Sequence, residues 1–147
     1  DFAPADALTG CTVSPFWVTS MTAGLVLRSE DGKVLVDLDM DGSEGTGWVL
    51  FYLHIAAKDR VAAGTELQVD DRIGHASCEG GVASGSHVHI ARKYNGEWIT
   101  AAGPVPLVLS GWETMGAMAE YGGYLIRDSK IIYAYPYSIA ESRIWRD

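Results

Sequence analysis

Several residue types and patterns that would assign a class quickly are scarce in this sequence. Cysteine occurs twice in 147 residues, as Cys11 and Cys78, too far apart for a Cys-x-x-Cys redox or zinc element. Two readings stay open for the pair, a single disulfide in an exported protein or two buried thiols. Basic residues are outnumbered, with 11 Lys and Arg against 19 Asp and Glu and a formal net charge of −8. With no basic cluster to offset it, that excess repels phosphate and excludes nucleic acid as a partner. No window approaches the roughly 18 uninterrupted apolar residues of a spanning helix, so no membrane span is expected. The N-terminus has neither the basic nor the apolar region of a signal peptide. It starts at Asp1 rather than Met, which reads as a processed or truncated product. Helical periodicity is weak everywhere; the best stretch, Trp112 to Tyr121 with Met115 and Met118, predicts a short helix at most.

What is present is apolar and turn-rich. Hydrophobic residues make up 48% and charged residues 20%, with 17 Gly, 5 Trp and 7 Tyr, the composition of a globular domain rather than a disordered chain. The length suits one domain that buries about two-thirds of its unfolded surface. Ala23 to Arg28, Lys33 to Asp39, Trp48 to Ile55, Thr65 to Val69 and His87 to Lys93 have the period-two or continuous apolar character of strands. Ser29-Glu30-Asp31-Gly32 and Tyr94-Asn95-Gly96-Glu97 carry Asp-Gly and Asn-Gly, the dipeptides of tight hairpins. The expected fold class is therefore mainly β with an antiparallel sheet. From Pro104 the character changes to Gly122-Gly123, two short apolar runs and an aromatic tail ending at Trp145. Residues 1–103 read as the core, and 104–147 as a short β and loop extension packed on it. No signal bears on the number of copies in an assembly.

The four histidines, His54, His75, His87 and His89, are the most informative residues. In Ser86-His87-Val88-His89-Ile90 a strand places the two imidazoles on one face and Val88 and Ile90 on the other. That suits a strand with one side in a core and one lining a polar cleft, and imidazole is a preferred zinc ligand; two surface histidines on an exposed face are the alternative. His54 ends an apolar strand, where a structural histidine is the plain reading. The pair fits neither His-Glu-x-x-His nor His-x-His-x-Asp-His, and no histidine follows His89, so further ligands must come from upstream.

The stretch Trp48 to Trp98 resembles the C-terminal half of the lysostaphin-type zinc endopeptidases of the M23 peptidase family. Tyr52-Leu53-His54, Val61-Ala62-Ala63-Gly64, Ile73-Gly74, Gly80-Gly81 and Gly85-Ser86-His87-Val88-His89 follow one another in the family's order and spacing. Ser84-Gly85 stands where the family usually has Thr-Gly. The resemblance implies the lysostaphin-type, barrel-sandwich-like β fold. It also implies that His89 binds zinc and that His54 and His87 form the catalytic pair. Asp1-Phe2-Ala3-Pro4 resembles the second half of the family's first metal element, which makes Asp1 a zinc ligand and puts that element's histidine before residue 1. The implied cofactor is Zn2+, and the implied substrate is the peptide of bacterial cell-wall peptidoglycan. The implied location is extracellular or in the cell envelope, where Cys11 and Cys78 are expected to lie close together.

A catalytic zinc takes three protein ligands plus water, and Asp1 and His89 are two. His75, in the Gly74-His75-Ala76-Ser77 segment, reads as a loop residue near the cleft, with replacement ligand as the alternative. Tyr52 shares a face with His54 and reads as core, the groove being its other place. A non-catalytic cell-wall or partner-binding module on the same fold is the competing function. A biotinyl or lipoyl carrier, suggested by the turn from Val61 to Gly74, lacks the lysine-bearing hairpin, since Lys33 follows Asp31-Gly32. Finally, Asp37-Leu38-Asp39-Met40-Asp41-Gly42 starts like a calcium loop, but position twelve is Trp48 rather than Glu, so it is not an EF-hand. It reads as an acidic hairpin loop, with an irregular calcium site as the alternative.

Overall fold

Two dipeptides with left-handed backbone set the register of the largest sheet. Asp31 and Gly32 have φ of 46° and 73°, and Asn95 and Gly96 have φ of 49° and 81°, the positive pair that a two-residue hairpin of the right twist needs. The computed structural model describes residues 1–4, 10–116, 122–134 and 142–146. In chain order its strands are β1 (Trp17–Thr19), β2 (Gly24–Glu30), β3 (Lys33–Asp37), β4 (Trp48–Leu53), β5 (Glu66–Leu67), β6 (Arg72–His75), β7 (His89–Tyr94), β8 (Glu97–Ile99), β9 (Val108–Leu109), β10 (Trp112–Gly116), β11 (Gly123–Arg127) and β12 (Lys130–Tyr133). The chain divides into two compact units, Asp1–Ile99 and Thr100–Asp147.

In the first unit a six-stranded sheet runs β5-β2-β3-β4-β7-β8, and β1 pairs with β6 in a separate two-stranded sheet. Every strand pair is antiparallel, as the hairpin dipeptides imply. Val34 lies opposite Tyr52 and Val36 opposite Leu50. These four belong to one buried cluster with Val26, Ile55, Leu67, Ile73, Ala76 and Val88. A fully buried aliphatic side chain contributes on the order of 2 kcal/mol, so this cluster fixes the register: a one-residue slip would turn it to solvent. Tyr52 is completely buried and its hydroxyl accepts a hydrogen bond from the Met21 amide at 3.1 Å. It is a core residue and does not line a groove.

The second unit is a four-stranded antiparallel sheet, β12-β11-β10-β9. Trp112 to Gly116 is strand β10 and not the start of a helix, which corrects the expectation for Trp112 to Tyr121; residues 117–121 lie outside the described residues. Pairing on both sides decides it: Trp112 lies opposite Leu109, and Thr114 opposite Leu125. Gly116 lowers helix propensity further.

Candidate active site

The adjacent strands β4 and β7 bring the histidines together. Leu53, last in β4, lies opposite His89, first in β7. One residue on, His54 turns the chain with φ of 67°, a left-handed conformation that costs a non-glycine residue about 1 kcal/mol or more and persists where the surroundings impose it. Here they do. The Ser77 amide and hydroxyl both donate to the His54 carbonyl, at 2.7 and 3.0 Å, and the Ile55 amide donates to Gly32 O at 2.9 Å.

The His54 ring is held as firmly as its backbone. Nδ1 lies 2.9 Å from Glu79 O; a carbonyl only accepts, so Nδ1 carries the hydrogen and Nε2 keeps its lone pair. The segment supplying that carbonyl leans on the β2–β3 turn at two glycines: a Cβ on Gly32 would collide with Glu79 O, and one on Gly80 with Asp31 O.

His87 sits just before β7, not within it as the strand expectation had placed it. It forms an isolated antiparallel bridge with Ser77, and its Nδ1 lies 2.8 Å from Gly85 O, which again leaves Nε2 with the lone pair. The rings of His54 and His87 are 4.5 Å apart between centroids, tilted by 56°. Between His87 and His89, Val88 is buried and bridges Phe2 through reciprocal amide–carbonyl bonds of 2.9 Å. That bridge delivers Asp1 between the two imidazoles. Asp1 Oδ1 is 2.7 Å from His89 Nδ1 and 3.8 Å from His87 Nε2.

Burial is the main cause holding the His54 pKa below its ordinary 6.5; the positive charges of His87 and His89 push the same way, and the Glu79 carbonyl opposes them. His89 is lowered too, first by burial. Among the described residues the single set of three or more His, Cys, Asp or Glu donors lying mutually within 4.8 Å is Asp37, Asp39 and Asp41. Asp1, His87 and His89 do not close into such a set.

His75 joins none of them in a donor set among the described residues. It ends β6 instead of sitting in a loop, Nδ1 lies 3.0 Å from Phe16 O, and its ring stacks on Trp17 with centroids 4.1 Å apart. Its neighbours Ala76 and Ser77 form bridges to Ile55 and His87, so the segment is extended and the replacement-ligand alternative falls. Cys11 and Cys78 do lie close: they form a disulfide with Cα atoms 5.4 Å apart. Sequence reading passed over the residues on either side of Cys78, Ser77 and Glu79, which hold His54. The one available signal was that they flank a cysteine.

No protein-family model and no curated protein sequence matches the chain. Among solved structures it is similar to an M23 metalloprotease, pseudoalterin, from the deep sea, with 20% sequence identity and a TM-score of 0.65 over 86% of this chain and 74% of that one. At that identity the likeness concerns architecture, and the nearly all-β, antiparallel fold described above is that of an M23 metalloprotease.

Proposed function

We propose that this protein is a zinc-dependent endopeptidase acting on the peptide of bacterial cell-wall peptidoglycan, outside the cytoplasm. The observation that carries the proposal is one juxtaposition: two facing imidazoles, each with Nδ1 committed to a carbonyl, beside a carboxylate–imidazole contact of 2.7 Å. Oxygen and imidazole nitrogen are zinc donors, and Asp1 Oδ1 with His89 Nδ1 would hold the ion. Bound zinc supplies Lewis-acid polarisation of the scissile carbonyl and acidifies water.

The chain's own residues do the rest. His54, held neutral by its burial, offers Nε2 to take a proton from the attacking water and return it to the leaving amine. His87 Nε2, once protonated, donates to the oxygen that gains charge. With Nδ1 tied to a carbonyl on both rings, Nε2 is the nitrogen each imidazole has left for proton transfer. The Cys11–Cys78 disulfide is in keeping with an oxidising compartment.

A second reading has its own observation. Among the described residues two zinc donors meet here rather than three, which favours a non-catalytic cell-wall or partner-binding module on the same fold. Zinc titration calorimetry and release of amino groups from purified peptidoglycan separate the two. The expected outcome is weak zinc binding by this chain, and stoichiometric binding with hydrolysis when a histidine is supplied a few residues before Asp1. Tight peptidoglycan binding with no hydrolysis in the extended chain establishes the binding module instead.

A further inference from the structure

We propose that the β3–β4 connection binds a calcium ion through the carboxylates of Asp37, Asp39 and Asp41, a site apart from the histidines and independent of the peptidase reading. Donor oxygens of the three residues lie within 4.8 Å of one another. Calcium–oxygen bonds are about 2.3–2.6 Å long, so oxygens around one ion are at most about 5 Å apart, and the cluster is of that size.

The independent observation is Asp37 itself. It is completely buried, and its Oδ1 accepts no hydrogen bond, while Oδ2 takes the Gly42 amide at 2.9 Å. A buried carboxylate oxygen without a donor is rare and costly in folded proteins. Protein cations do not answer it. Among the described residues no Lys, Arg or His forms an ion pair with any of the three carboxylates, and Arg28 and Lys93 both pair with Glu44.

Gly47 makes the convergence feasible, because a Cβ there would collide with Asp39 Oδ2. Three carboxylates and no nitrogen or sulfur donor select a hard cation over zinc, and an irregular loop suits the adaptable coordination of calcium better than the strict octahedron of magnesium.

The test uses EDTA-stripped protein dialysed free of chelator and titrated with CaCl2, read by calorimetry and thermal melting. The expected result is one ion per chain with Kd below roughly 1 mM and a melting temperature raised by roughly 5 °C at saturation. Asp39→Asn and Asp41→Asn change exposed side chains, so the fold survives them, and each should weaken binding by about tenfold or more. His89→Ala leaves calcium binding unchanged, which keeps this result separate from the zinc reading. No heat and no melting shift at about 10 mM calcium, a level far above the Kd range of such sites, overturns the proposal. So does an undiminished shift in the Asp39→Asn, Asp41→Asn double variant, and binding of MgCl2 equal to that of CaCl2 overturns the choice of ion.

Discussion

Strand β4 begins beside three carboxylates and ends beside three imidazoles. At its start Val49 lies opposite Asp37, and at its end Leu53 lies opposite His89, roughly 14 Å along the strand at about 3.4 Å per residue. The two clusters are assembled differently. Asp37, Asp39 and Asp41 come from one short run of sequence and depend on the turn at Gly42. The histidine end draws on Asp1, His54, Ser77, Glu79, His87 and His89, so each element contributes one or two groups and the sheet register aligns them. A cluster built locally survives damage elsewhere in the domain. One built from distant segments fails when any of them moves.

The largest expected effects fall on the assembled end. In the chain extended by an upstream histidine, His54→Ala and His87→Ala should each lower turnover by about 10²- to 10⁴-fold, the usual contribution of a positioned acid or base, while zinc affinity holds. His89→Ala should abolish zinc binding and turnover together. Amino-group release from peptidoglycan beside zinc titration reads both quantities. If His54→Ala lowers zinc affinity as much as His89→Ala does, the division between metal-holding and proton-moving residues is wrong.

Next is the covalent tie. The disulfide spans a sequence separation of 67, and closing a loop of that length restricts the unfolded chain by about 4 kcal/mol in the chain-entropy description. Cys11→Ser with Cys78→Ser should therefore lower the melting temperature by roughly 10 °C. Cys78 lies between Ser77 and Glu79, the residues that hold His54. Made in the extended chain, the double variant should thus lose activity below its melting point while calcium affinity at the other end stays the same. Equal loss at both ends would remove the distinction between local and assembled clusters.

A smaller effect tests the middle of β4. Tyr52→Phe leaves the Met21 amide without its acceptor, at a cost of about 1–2 kcal/mol. Denaturant melts should show that loss, with kcat and KM of the extended chain unchanged. A drop in kcat would return Tyr52 to the groove.

Legibility in the sequence followed the same division. The hairpins at Asp31-Gly32 and Asn95-Gly96 were readable because two residues alone dictate a positive-φ turn. The strands between them were readable because alternation over five or six residues is local. The convergence of His54, His87 and His89 was visible through the family pattern. The supports were not: nothing in Ser77 or Glu79 as residue types shows that a hydroxyl 23 positions from His54 holds its carbonyl. His75 misled for the same reason, since Gly74 suggested a turn while pairing with β1 made the segment extended. At Trp112 to Gly116, pairing with β9 and β11 overrode a weak helical pattern. The acidic run was legible as a motif and ambiguous as chemistry, because burial of Asp37 decides its meaning and spacing does not report burial.

Acidity should act on the two ends with opposite sign, and this is the smallest effect. At the histidine end, burial first, then the charges of His87 and His89, hold His54 below its ordinary pKa of 6.5, against the pull of the Glu79 carbonyl. As pH falls through about 6.5 the unfolded chain takes a proton at His54 that the folded chain refuses. Stability is therefore full above that pH and is lost downward until the folded pKa is passed. At the acidic end Asp39 is raised above 3.8, first by its side-chain hydrogen bond with Asp37. There the unfolded carboxyl gives up its proton first, so stability is full below that pH and is lost as pH rises through the folded pKa; calcium should cancel that loss. Melting temperatures of the wild-type chain and of His54→Gln, taken without added metal from about pH 7 down to about pH 5, isolate the first term because histidine is the group titrating there. The wild type should lose more of its melting temperature than the variant over that range. If the two fall in parallel, His54 is not the group whose protonation the fold resists.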